Sequence, residues 1–328
     1  MAPGGGDAAI PAERALAPAA PRPGDAAAAG AGAGRVPAAA PAPFGARVAG
    51  GRRIAALAAR PTTRGVQGAL LLLGAITAVA VLAPLLAPYG SGEVVAAGSL
   101  HAPSPHNLLG TDEIARDVFS RVLYGIRTSW LSALVVIAGG AAFGGLVGAL
   151  AGAAGGLVDL VLMRITDLFL ALPAPVLAIA VIASLGPSLT HTLIALSIVW
   201  WPWYARIVRA EVRTQASRSH ADAARLAGVG RTRLVTRHLL PAAFAPVVVT
   251  MSLDVGNLIL ALAGLSFIGL GAPAPAPELG AMSARGLDYL FGHPWVPIAP
   301  AVAVALLALG ANLFGDLLNR RLDQRTSR

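Results

Sequence analysis

Between Asp167 and Arg206 no side chain carries a formal charge. The run from Leu168 to Ala205 is too long for one membrane helix, and no soluble fold could leave so much apolar sequence uncompensated. Gly186-Pro187-Ser188 divides it into two segments, Leu168–Leu185 and Leu189–Tyr204. Pro173 and Pro175 predict a bend at the start of the first. Four further charge-poor runs have spanning length: Gly68–Leu86, Ser129–Ala154, Ala243–Leu265 and Trp295–Leu318. The predicted fold is an all-α, polytopic membrane protein with six transmembrane helices.

Charge narrows the class further. The chain is 56% hydrophobic and only 12% charged, yet its pI is near 11.3. A basic pI raises nucleic acid as a partner, but runs this apolar exclude a soluble nucleic-acid-binding domain. Every basic residue is Arg; the chain has no Lys. A Walker A loop needs its Lys on the nucleotide phosphates, so this chain holds no ATPase site of its own. With no Cys, disulfides and thiolate metal sites are excluded.

The arginines set the topology. Six spans put both termini on one side. That side, with the loop near Arg164 and the segment 206–241, carries 21 of the 25 Arg; the other side holds Arg116, Arg121, Arg127 and Arg285. The positive-inside rule places both termini in the cytoplasm. Residues 1–46, rich in Ala, Pro and Gly, read as a disordered tail and not as a signal peptide. Residues 47–66 form a basic flank, 67–319 the six-span domain and 320–328 a cytoplasmic tail. The flank reads equally as a solvated segment or as an amphipathic helix on the membrane surface.

Several features inside the spans invite a role. Gly140, Gly144, Gly148, Gly152 and Gly156 recur every four residues, a smooth stripe for close helix packing. Trp200, Trp201, Trp203 and Tyr204 read as an interfacial aromatic belt. Asp159, Arg164 and Asp167 mark a cytoplasmic turn. Asp254 and Asn257 share a face in mid-span, where a polar group either lines a translocation path or makes an interhelical hydrogen bond. Asp316 is expected to pair with Arg320.

The densest functional information lies in Ser219–Pro241, SHADAARLAGVGRTRLVTRHLLP. Ser219 and Asp222 have capping-box spacing, and Gly228 falls where a helix needs a left-handed C-cap. A second helix is expected from Thr232 to Leu240. The prediction is a cytoplasmic helix–turn–helix whose small Ala side chains let a partner approach, with Asp222 offering a carboxylate. Asp222-Ala223-Ala224, three residues, Gly228, nine residues, His238, one residue, then Leu240-Pro241 resembles the EAA loop of ABC-importer permeases. Asp222 replaces the family's Glu, and His238 its Ile. A second stretch, LGTDEIARDVFSRVLYGIRTS (Leu109–Ser129), resembles the signature of the second permease subunit of dipeptide, oligopeptide and nickel importers. Gly110, Thr111, Asp112, Arg116, Asp117 and Arg121 carry that match, and Ala115 stands where the pattern has Gly. The balanced charges here predict an amphipathic helix. The segment Leu265–Trp295 resembles the outer loop of the same branch.

This resemblance covers about residues 65 to 325. It implies a permease subunit of an ATP-driven importer in the bacterial inner membrane, for di- or oligopeptides, with nickel or another small solute as the alternative. It implies that Asp222, Ala223, Ala224, Gly228, Leu240 and Pro241 dock an ATPase subunit. The implied partners are a sister permease, two ABC ATPases that use the ATP, an extracytoplasmic substrate-binding protein and the lipid membrane. No cofactor, metal or catalytic residue is implied for this chain. A secondary transporter using Asp254 or Asp316 as an ion site is the rival class, and a non-transporting scaffold a third.

Overall fold

The computed structural model describes residues 63–95 and 98–326; the tail over 1–46 and the start of the basic flank lie outside the described residues. Ten α-helices follow in chain order: α1 Thr63–Leu86, α2 Val118–Ala154, α3 Gly156–Ala171, α4 Ala174–Leu185, α5 Leu189–Ala216, α6 Ser219–Leu226, α7 Arg231–Leu234, α8 Leu240–Phe267, α9 Leu279–Gly286 and α10 Trp295–Thr326. Among the described residues, extended pairing is limited to two isolated bridges, Val94–Arg116 and Thr111–Asp117.

Among the described residues, three helices are long and apolar enough to cross a membrane: α2, α8 from Pro246, and α10. A fourth crossing is available if α3 and α4 count as one broken span. The expected third span, Leu168–Leu185, is therefore replaced. Leu172 and Pro173 interrupt the helix, and α3 and α4 meet at 88°. Pro173 lacks the N–H a continuous helix would use and crowds the carbonyl a turn earlier. Asp159, Arg164 and Asp167 thus lie on a full helix instead of a turn.

The bundle packs around the contact of α2 with α5, and glycine sets the approach. A Cβ on Gly144 would run into the Trp201 carbonyl, and one on Gly148 into that of Ala205. At Gly152 it would meet Val212 Cβ at 3.0 Å. The stripe ends there, because Gly156 sits at φ +53 beyond the end of α2 and faces open space. The close approach changes the fate of the aromatic cluster. Tyr204 is wholly buried and Trp201 nearly so, with Phe143 and Phe169 edge-on to the Trp201 ring, each at 5.2 Å. Only Trp203, half exposed, keeps a belt-like position. The glycines let the α5 backbone close onto α2, with the Tyr204 ring packed beside Gly140. Trp130, Ile137, Ile182, Leu196, Leu258, Ile259 and Leu262 complete the core.

Candidate functional site

α5 continues unbroken past the apolar run to Ala216, and α6 begins at Ser219 after two intervening residues. The capping box does not form. Arg218 is the N-cap, without a side-chain cap bond, and Ser219 is already helical. The Asp222 carboxylate instead accepts from Arg225 Nη1 at 2.6 Å. A charge-assisted bond one turn away outcompetes a bond back to a neutral N–H. Arg225 also donates to the Ala216 carbonyl at 3.0 Å, tying α6 to the end of α5.

Gly228 behaves as its position predicts. Its φ is +77, its N–H reaches the Arg225 carbonyl at 3.0 Å, and the Val229 N–H reaches that of Ala224 at 3.1 Å. That pair of bonds is a Schellman closure, and the left-handed residue it needs is glycine. The second arm differs from the expected helix over Thr232–Leu240. α7 is one turn, and Val235–Leu239 form a π-turn that runs straight into α8. Leu240 N–H bonds to the Val235 carbonyl, five residues back. Pro241 has no N–H to give and crowds the carbonyl of Arg237, so the helix widens there.

The loop has two faces. Ala221, Leu234 and Leu239 are buried against the bundle. Asp222, Ala223, Leu226 and Ala227 face outward, with Leu226 90% exposed. Ala224 is half-buried and points inward. Leu240 is half-buried, and Pro241 is exposed at the start of α8.

At the opposite end of the bundle, Leu109–Asp117 is not an amphipathic helix. It is a buried knot of turns, and α2 begins only at Val118. Asp117 caps that helix, accepting from Ser120 N–H and Oγ, both at 2.7 Å, and from Asn107 Nδ2 at 3.0 Å. Gly110 has φ +71, and a Cβ there would strike the His101 carbonyl and the Trp295 indole. Thr111 Oγ1 donates to the Gly98 carbonyl and accepts the His101 N–H. Asp112 accepts the N–H groups of Ile114 and Arg116 and pairs with Arg116 Nε at 2.7 Å and Arg121 Nε at 3.4 Å. Ala115 has φ +61, which explains why the resembling pattern carries Gly at this position. Arg121 is 2% exposed and donates to the carbonyls of Ser91 and Pro275. This segment thereby fastens both interhelical segments at this end to α2.

Asp254 is half-buried and accepts from Tyr204 Oη at 2.8 Å, an interhelical bond between α5 and α8. Asn257 is exposed on the same helix. Asp316 is exposed, and the side chain of Arg320 lies outside the described residues. A cavity of about 790 Å³ lies between α1, α2, α5, α8 and α10, lined almost entirely by apolar groups such as Ile137, Val247 and Met251. Neither Asp254 nor Asn257 is on its wall. Among the described residues, no group of three or more His, Cys, Asp or Glu could hold a metal ion. Sequence reasoning missed Glu278, the bond of the Tyr204 hydroxyl to Asp254 and the partners of Asp159. Only the spacing of Asp117 and Ser120, a cap signature, was available to locate the true start of α2.

Residues 144–328 match the family model described as binding-protein-dependent transport system inner membrane component. The chain is 40% identical over 245 residues to the probable D,D-dipeptide transport system permease protein DdpC of Escherichia coli K12, covering 75% of this chain and 82% of that one. It is 34% identical to the dipeptide transport system permease protein DppC of Haemophilus influenzae (80% and 91% covered) and 33% identical to the nickel transport system permease protein NikC of Escherichia coli K12 (79% and 93% covered). Among solved structures, a chain of the inward-facing MetNI methionine ABC transporter shares the fold, with TM-score 0.51 and 20% identity over 64% of this chain and 98% of that one. With its helical bundle, the loop between α5 and α8 and these relatives, the chain belongs to the inner-membrane permease subunits of binding-protein-dependent ABC importers.

Proposed function

We propose that this chain is one permease subunit of an ATP-driven importer for di- or oligopeptides, and that the segment 206–241 is where an ATPase subunit docks. The observation that carries the docking reading is the outward face of α6: Asp222, Ala223, Leu226 and Ala227 project from a helix closed by Gly228 and backed by a buried inner face. Small side chains beside one large apolar knob suit a grooved partner. Six crossings follow if α1, α2, the α3–α4 pair, α5, α8 and α10 each traverse the membrane, with both termini cytoplasmic. α5 fits this role because its 28 residues extend about 42 Å. ATP is bound and hydrolysed by two partner ATPases. A sister permease completes the path, and an extracytoplasmic binding protein delivers the solute. The peptide assignment is supported by the relatives named for dipeptide transport; the nickel relative supports the second reading.

Asp222→Arg tests the docking loop. It removes the Asp222–Arg225 pair and places two cations one turn apart. Uptake of a radiolabelled dipeptide should fall roughly tenfold, while the amount of chain in the membrane stays unchanged. Unchanged uptake would remove Asp222 from the docking motif. Competition between labelled dipeptide and nickel in the same cells separates the two substrate readings, and uptake that survives ATP depletion but fails without a proton gradient would favour a secondary transporter.

A further inference from the structure

Helix α3 is held to the bundle chiefly by charge. Of its 16 residues only Asp159 and Thr166 are buried. Leu157, Val158, Leu160, Val161, Ile165 and Leu168 are all exposed, so apolar packing contributes little to its position. Phe169, edge-on to Trp201, supplies one aromatic contact near its far end.

Both ends of α3 are bends in the chain. At its start, Gly155 and Gly156 have φ of +64 and +53, with nothing within 4 Å of a Cβ at either. At its end the chain turns 88° into α4. What fixes α3 between these bends is a ladder of ions to α5. Asp159 Oδ2 accepts from Arg209 Nη2 at 2.7 Å and pairs with Arg213 Nη2 at 3.1 Å, while Oδ1 accepts from Arg209 Nε. Two turns along the same face, Asp167 pairs with Arg206 Nη2 at 2.6 Å. The second rung is half exposed on both partners and screened by water. The first is better shielded on the acid side, since the Asp159 side chain is 8% exposed against 28% for Arg209 and 49% for Arg213, and a two-bond Arg fork fixes orientation as well as distance.

All three arginines lie on α5, which leads within two residues into α6. A displacement of α6 is therefore carried along α5 to Arg213 and Arg209, and across Asp159 to α3. We propose that Asp159 is the positioning residue through which movement of the ATPase-docking loop reaches the bent α3–α4 pair. The inference rests on the importer reading. Without the carboxylate, Arg209 and Arg213 repel one another, and α3 swings on its glycine joint.

The test uses the full transporter, this chain with its sister permease, ATPases and substrate-binding protein, in proteoliposomes with labelled alanyl-alanine. Uptake and ATP hydrolysis are measured together, with spin labels at Ser184 on α4 and at Ser217, the exposed residue between α5 and α6. In the wild type, the separation of the two labels should be preserved when nucleotide binds. In Asp159→Asn the complex should assemble in normal amount and hydrolyse ATP near the wild-type rate. Dipeptides moved per ATP should fall about tenfold, within the range of ordinary coupling energies, and the label separation should change with nucleotide. Asp159→Glu should recover part of the coupling. Wild-type coupling in Asp159→Asn would overturn the inference. So would uptake and hydrolysis that fall together with the amount of assembled complex, because that is a purely structural role. A wild-type complex with no ATP-driven uptake would sink the importer reading itself, and this proposal with it.

Discussion

Glu278 is wholly buried, and it caps α9 by accepting from the N–H groups of Gly280 at 3.1 Å and Ala281 at 2.8 Å. Burial pushes its carboxyl above the ordinary 4.5; the two N–H bonds and the Arg285 guanidinium oppose the shift without cancelling it. The folded state then holds this proton to higher pH than the unfolded state does. Stability from this group is present below the unfolded value and declines as pH rises from there through the raised folded value. Thermal unfolding in detergent should therefore weaken with rising pH over that window, and Glu278→Gln should flatten the slope. Glu278→Ala should cost about 1 kcal/mol or more at every pH, because two donors at the start of α9 lose their acceptor. An unchanged slope in the Gln variant would show that another group carries the dependence. Nothing in the sequence distinguishes Glu278 from a solvated loop acid, since only the packing of α9 makes it a cap.

At the scale of elements, the spacing of glycines along α2 predicted close packing but not its partner. Adjacent glycines differ sharply in what they meet. A Cβ at Gly139 meets nothing within 4 Å, whereas one at Gly144 meets the backbone of α5. Gly139→Ala should leave melting temperature unchanged or raise it. Gly144→Ala should destabilise by about 1–3 kcal/mol, because a helix backbone cannot yield as a flexible side chain would. Fluorescence-detected melting of the two variants side by side makes the comparison, and equal effects would contradict the packing described. The loop between α5 and α8 was half legible. Gly228 acts through its own φ, a local property. The failed capping box and the π-turn depend on competition, with Arg225 taking the carboxylate and Pro241 withholding a donor.

For the whole molecule, Arg121 ties together segments far apart in the chain. It joins α2 to the carbonyl of Ser91, 30 residues before it, and to that of Pro275, 154 residues after it, beside Asp112. Lys cannot reproduce this planar set of donors. Arg121→Lys should lose stability by about 3 kcal/mol, as expected when a buried pair loses its fit. The interhelical segments at that end should also become susceptible to added protease. Resistance equal to wild type would mean that the remaining contacts suffice.

The sequence by itself determined what depends on solvent and on local backbone. Long apolar runs cannot remain in water, so the chain is a helical membrane protein. Absence of Lys removes a Walker A site whatever the fold. Glycine at 228 and at 110 serves conformations that side-chain-bearing residues resist. The tertiary structure decided what depends on neighbours distant in sequence. It placed Trp201 and Tyr204 in the core instead of an interfacial belt and gave Asp254 to the Tyr204 hydroxyl. It also turned the charges of Leu109–Arg121 into a buried knot and set the size of the bend that Pro173 predicts, 88° between α3 and α4. A charged or aromatic residue reads alike in sequence whether it meets water, lipid or a partner. Which of these it meets is set by the close approach of helices such as α2 and α5.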